Sequence, residues 1–147
     1  MKDGISWGDG RTAFSYLSPQ DNNYVGNDSS LMLLMKTSGP SFLFTGDMEI
    51  DAEEKFLRKY GQVNFGQVIL KVAHHGSKTS STEPFIDALR PELSIISAGR
   101  NNTYGHPHQE VLETFMKFDL QTMLTAKNGS ITVTIKEDDY SVSSIAK

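Results

Sequence analysis

No cysteine occurs in the 147 residues, and that absence alone removes disulfides, thiolate metal sites and a cysteine nucleophile. Any metal site has to be built from histidine and carboxylate ligands, and the redox compartment stays open. Also missing is an apolar run approaching the ~20 residues that a membrane-spanning helix requires. The opening Met1-Lys2-Asp3-Gly4 does not resemble a secretory signal, so the chain as given is expected to be soluble. Nor is there an excess of positive charge, because 14 Lys and Arg face 18 Asp and Glu for a net charge of −4. Nonspecific phosphate binding rests on clustered basic residues, so contact with nucleic acid would need a local basic patch or a bound cation. No low-complexity tract, internal repeat or linker divides the sequence, and one domain is the expectation for this length.

What is present is a globular composition, 37% hydrophobic and 22% charged, in a chain long enough to bury roughly two thirds of its unfolded surface. Ile5 to Leu17 reads as two short strands around Asp9-Gly10. A polar loop from Ser18 to Asn27 follows. The apolar runs Ser30 to Met35 and Ser41 to Thr45, separated by Ser38-Gly39-Pro40, predict a buried hairpin. Asp51 to Tyr60 has acids in its first turn, Phe56, Leu57 and Tyr60 on one face, and Gly61 past its end, which are the marks of a helix. Val68 to Ala73 is a predicted strand running directly into His74-His75-Gly76. A helix opens at Pro84 and is terminated by Pro91, and Leu93 to Ser97 is a further strand. Val111, Leu112, Phe115 and Met116 form a helical stripe, and Gln121 to Ala126 returns to strand. Asn128-Gly129 turns the chain into Ser130 to Ile135, whose alternation marks a half-exposed edge hairpin. Strands alternating with helices in this order predict an α/β layered domain with helices on one sheet.

Three polar clusters sit where predicted strands end: Thr45-Gly46-Asp47, His74-His75-Gly76-Ser77-Lys78, and Asn101 to His108. All four histidines fall in the last two. Loops at the carboxyl ends of strands are where open α/β sheets hold ligands. The Asp47 carboxylate, emerging from a buried strand, needs a cation or hydrogen-bond donors, or else serves as the N-cap of the following helix. Adjacent histidines after a strand point to opposite sides, so one can face a site while its neighbour supports it. Gly105-His106-Pro107-His108 taken alone reads as a stiff helix entry with His108 as cap. One Asp and one to four His suffice for one metal and are thin for two.

The string from Asn27 to Glu113 carries a resemblance. Asn27-Asp28-Ser29-Ser30-Leu31, Phe42-Leu43-Phe44-Thr45-Gly46-Asp47, Leu70 to Ser81 with its His74-His75-Gly76-Ser77, and Tyr104-Gly105-His106-Pro107-His108 together resemble the metallo-β-lactamase-type domain of ComEC/Rec2 competence proteins. The resemblance implies an αββα fold with a two-metal centre, usually zinc with manganese as the alternative. Asp47 matches the bridging carboxylate, and His74 or His75 the last histidine ligand. Position alone puts His106 with Ser77 or Lys78 near the scissile phosphate. Single-stranded DNA would be the substrate and the cell membrane the setting of the complete protein.

The upstream His-x-His-x-Asp-His motif of that family is absent, and no histidine precedes position 74. Residues 1–147 are therefore expected to form a single partial metallo-β-lactamase-like domain, the C-terminal αβ half. The missing N-terminal half, a membrane channel and a second copy docked on the exposed sheet are the partners this implies. Asn27 and Asp28 stand where the family's middle histidine ligand would fall. Two rival readings are a noncatalytic interaction module and a phosphorylcholine-esterase-like hydrolase with Trp7 and Tyr24 as aromatic cation box.

Overall fold

The computed structural model describes residues 6–17 and 26–146. Tyr24 and most of the loop expected at Ser18 to Asn27 lie outside them. Strands β1 (Ser6–Gly8), β2 (Ala13–Leu17), β3 (Met32–Lys36) and β4 (Ser41–Phe44) run as an antiparallel meander. From β4 the chain switches to parallel pairing through β5 (Val68–Lys71), β6 (Leu93–Ile96) and β7 (Thr122–Leu124), and the seven strands lie in sequence order. Helices α1 (Ile50–Tyr60), α2 (Glu83–Leu89) and α3 (Gln109–Lys117) make the crossovers between the parallel strands. A short helix, α4 (Thr125–Asn128), then leads into β8 (Ser130–Lys136) and β9 (Asp139–Ile145).

Apolar periodicity explains why the helices lie down on the sheet. Phe56 of α1, Phe85, Ile86 and Leu89 of α2, and Val111 and Phe115 of α3 join Met32, Leu34, Leu43, Val68 and Leu70 of the strands in one buried cluster. Each such side chain contributes roughly 1.5–3 kcal/mol by leaving water. Phe56 is the hub, with the Phe85 ring edge-on at 5.5 Å and Tyr60 tilted at 5.1 Å. Met116 departs from the expected stripe and is 66% exposed, because the helix is already seated through Val111 and Phe115.

On the opposite pleat, register aligns Trp7, Phe14, Met35, Phe42, Ile69 and Leu93 in one row across the sheet. Ile69 and Leu93 are buried, whereas Trp7 is 51% exposed and Phe42 and Met35 are half-buried. The β8–β9 hairpin reaches the main sheet at two places. Its turn reaches the β3–β4 turn, where Ser38 donates to the Glu137 carbonyl at 2.7 Å, and Glu92 at the start of β6 helps raise the Tyr140 pKa, after burial.

Three expectations from sequence need correcting here. The last hairpin is a separate two-stranded sheet and not an edge of the main one. Asn128-Gly129 also does not make its reversal, which falls at Glu137-Asp138 between β8 and β9. The strand expected over Gln121 to Ala126 stops at Leu124, whose N–H is taken at 3.0 Å by the Asn128 side chain as the chain coils into α4.

Candidate functional site

Parallel strands β4, β5 and β6 all point their carboxyl ends at one edge, so the three polar clusters emerge side by side. Asp47 follows β4 by a tight turn at Gly46, whose φ of +60° and approach to Ser30 leave no room for a side chain. The Asp47 N–H donates to Ser30 Oγ at 3.1 Å. Asp47 is not the cap of α1. That role belongs to Asp28, whose Oδ1 accepts from the N–H groups of Glu49 at 3.0 Å and Ala52 at 3.2 Å. Capping from a distant loop satisfies the helix N-terminus and leaves the Asp47 carboxylate facing the next motif.

That motif is held in an unusual backbone. His74 and His75 have φ of 44° and 55°, a left-handed region that costs a non-glycine residue free energy and marks functional loops. The two rings are held differently. His75 Nδ1 sits 2.7 Å from the Ser97 carbonyl, and since a carbonyl only accepts, that nitrogen carries the proton. Nε2 is the nitrogen left to face Asp47, and it lies 3.6 Å from Asp47 Oδ1. His74 Nδ1 is 3.1 Å from Glu49 Oε1, which also accepts from Thr79 Oγ1 at 2.9 Å. His74 Nε2 is 3.5 Å from the Asn27 amide nitrogen.

The third cluster closes on the second through Gly76. With φ of +82° Gly76 packs so tightly on Pro107 that a Cβ there would lie 2.6 Å from the proline Cβ. His108 N–H donates to the Gly76 carbonyl at 2.9 Å, and His108 Nδ1 accepts from Lys78 N–H at 3.0 Å. His108 occupies the N-cap position of α3 without a side-chain capping bond. The His106 ring consequently lies among the others, 5.6 Å from His74, 6.4 Å from His75 and 4.8 Å from His108. Its pKa falls below the usual imidazole value through burial first and then the neighbouring histidines, with Asp47 opposing. His106 is therefore neutral at physiological pH and offers a lone pair or a neutral N–H.

Of the remaining expected residues, Lys78 is exposed at the rim. Ser77 is buried, its hydroxyl 3.0 Å from Thr79 Oγ1, so its contribution runs through the shape of the loop. Lys71, not singled out from sequence, sends Nζ to the Gly46 carbonyl at 3.4 Å, and burial lowers its pKa while Asp47 opposes. Glu49 and Glu53 were also missed. Acids in the first turn of α1 are legible as helix-dipole partners, yet Glu49 orients His74, and Glu53 is fully buried and binds the loop after the histidines at Ser81 and Thr82. Asp28, expected near a ligand position, is spent on the α1 terminus.

Asp47, His75 and His106 are thus brought together, with His74 and His108 behind them. Among the described residues no group of three or more His, Asp or Glu side chains is disposed to hold a metal ion. Asp47 and His75 alone would supply two of the three protein donors that a hydrolytic metal needs. Asp47 and His75 Nε2 converge, and the Nδ1–H of His75 is anchored on a carbonyl as in metal-binding histidines.

No protein-family model matches the chain. Over 119 residues, 80% of this chain, it is 42% identical to ComE operon protein 3 of Bacillus subtilis. It is 35% identical over 126 residues, 85% of the chain, to Recombination protein 2 of Haemophilus influenzae, and 33% identical over 119 residues, 80% of the chain, to Competence protein ComA of Neisseria gonorrhoeae. The match covers 15%, 16% and 17% of these proteins, so the chain spans about a sixth of the length of the curated relatives it matches.

Proposed function

Because the chain belongs, as a segment, to the ComEC/Rec2-type competence proteins, we propose that it is the C-terminal αβ half of a metallo-β-lactamase-like αββα domain that hydrolyses phosphodiester bonds in DNA during uptake. One observation carries this reading: Nε2 of His75 faces Asp47 at 3.6 Å while its other nitrogen is locked on Ser97. Asp47 and His75 would hold the metal, zinc or manganese, with further ligands supplied by segments of the longer protein, since two donors fall short of the three that a hydrolytic site needs. When bound, the metal polarises water and a phosphodiester oxygen. His74 keeps a supporting role, because Glu49 and Thr79 engage its Nδ1 and Asn27 its Nε2. Half-buried His106 and exposed Lys78, whose backbone N–H binds His108 Nδ1, are the groups proposed to meet a phosphate and its leaving group. Single-stranded DNA is the proposed substrate, and the membrane machinery of the complete protein is the proposed setting. No described helix is long and apolar enough to cross a membrane.

The isolated chain is expected to hold fewer than two zinc or manganese ions after dialysis, by elemental analysis. His75→Ala should lower its metal affinity by at least about tenfold and His74→Ala by less, following the difference between a ligand and its support. Two tightly held ions per chain, or the reverse order of the two variants, contradicts the assignment.

The esterase alternative loses support at Trp7. It lines a cavity with Arg11 and Lys36, two cations that repel a quaternary ammonium in a place where the cation box needs further aromatic faces. The sheet face opposite the helices is the proposed docking surface for the rest of the domain, and a second copy can occupy it when that segment is absent. Trp7 at 51% and Phe44 at 37% exposure, with Phe42 stacked on Phe44 at 6.3 Å, make it an apolar patch of a kind that seldom stays solvated. Light scattering over a concentration series is expected to show dimers of the isolated chain, weakened by Phe44→Lys. A strictly monomeric chain at high concentration speaks against a bare docking face.

A further inference from the structure

The cavity beside the histidines has a wall that the proposed hydrolysis does not use. It measures about 340 Å³ and is lined by His75, His106, Ala98, Gly99, Asn102 and Tyr104 among others. Its lining is mainly apolar. Tyr104 is 75% exposed, yet its ring is stacked on His106 at 5.7 Å with an interplanar angle of 25°.

The loop that presents this ring is held by one side chain. The Asn102 amide donates to the Gly99 carbonyl at 2.8 Å and to the His106 carbonyl at 2.7 Å, and its oxygen accepts from His106 N–H at 2.8 Å. An aromatic face held in this way binds a planar ring without first having to order itself. The same three bonds commit the amide of Asn102, the residue best suited to reading the edge of a bound ring. The cavity therefore offers π-faces and apolar surface more than hydrogen-bond readout.

We propose that Tyr104 is a stacking platform for a nucleobase next to the phosphate under attack, so that the site takes unpaired strands with little regard to base identity. The inference rests on the phosphodiesterase and single-strand reading above and names the residue that selects for an unpaired base. Stacking on an aromatic side chain is tolerant of sequence because every base has a π-face. It also demands an unpaired base, since a paired one has both faces covered within the duplex.

The experiment uses the isolated chain carrying Trp7→Phe and Tyr104→Trp, so that the single indole reports on position 104. It is titrated at low salt with a thymidine hexanucleotide and with an abasic hexamer of equal length and charge. Indole quenching is expected with the base-bearing strand, and binding of the abasic strand should be weaker by roughly five- to a hundredfold. By isothermal titration with Trp7 in place, Tyr104→Ala should lose a similar factor and Tyr104→Phe should keep wild-type affinity. Equal binding of both strands, or no quenching by either, overturns the platform. A separate assay divides this failure from failure of the hydrolase. If a chain extended by the preceding segment of its relatives cleaves abasic and base-bearing strands at equal rates, the platform falls and the hydrolase stands. Cleavage of neither strand removes the hydrolase and leaves the binding comparison to decide the platform.

Discussion

Asp47→Ala, placed in the chain extended by the segment that precedes it in its relatives, is expected to cut metal-dependent cleavage of single-stranded DNA by at least about a thousandfold, or about 4 kcal/mol of transition-state stabilisation. The size of the effect follows from the bridging role that the resemblance implies for Asp47, which would then help to hold both ions of a complete site. The structure makes the experiment clean. Asp47 does not cap α1, which Asp28 does, and its backbone N–H bond to Ser30 survives the substitution. The variant should therefore unfold within a few degrees of wild type while losing activity and metal together. His106→Ala is the contrast, with a loss on the order of a hundredfold and metal content intact, as for removal of a group that moves or orients a proton. Unchanged cleavage by the Asp47 variant removes the metal-hydrolase reading and leaves an interaction module as the better account.

The layered α/β arrangement was legible because its signals are local. The runs that became β4, β5 and β6 are short and apolar, the mark of strands in a largely covered sheet, although the Phe42 and Phe44 face of β4 is partly exposed. The alternation from Ser130 to Ile135 reappears as alternating exposure along β8. Where the reading failed, a bond across the chain had overruled local pattern. Thr125, read as strand, instead exchanges hydrogen bonds with the backbone of Ala98 at 2.9 Å through its hydroxyl, and the chain leaves the sheet there. The hairpin reversal went to Glu137-Asp138, with Glu137 at φ of 52°, although Asn128-Gly129 is the stronger turn signal.

The site divides in the same way. His74-His75 and Asp47 are visible as residue types at strand ends. Which histidine faces the carboxylate was not legible, because it depends on the Ser97 carbonyl 22 residues away and on Glu49. The capping of α1 by Asp28 has no local signature either, its partners being 21 and 24 residues distant. A sequence shows which groups are available, whereas their commitments across the fold decide which remain free for chemistry. Asp28 and Asp47 are the same residue type, and the first is committed to a helix end while the second is left facing His75.

Glu53 shows how strongly such a commitment can weigh, and it carries the last expected result. Its carboxylate is fully buried and accepts from Ser81 N–H, from Thr82 N–H at 2.8 Å and from Thr82 Oγ1 at 2.7 Å. Ser81 has φ of +60°, so these bonds hold a strained residue in the loop that descends from His74-His75. Glu53→Ala leaves the buried N–H groups without acceptors, and a loss of about 2–4 kcal/mol in unfolding free energy is expected. Burial, outweighing the donors, raises the Glu53 pKa from 4.5 to about 6. Between those values the folded chain keeps a proton that the unfolded chain has released. The stabilisation is therefore complete below about pH 4.5 and is lost as pH rises to about 6, a fall of about 2 kcal/mol. Other carboxylates titrate in the same window, so the measurement is the difference between wild type and Glu53→Gln in urea unfolding across pH 4 to 7. The glutamine variant cannot ionise, and its disadvantage should be largest near pH 4.5 and shrink by about 2 kcal/mol by pH 7. A difference that stays constant with pH would mean that the folded and unfolded chains titrate Glu53 alike, with its three donors offsetting burial.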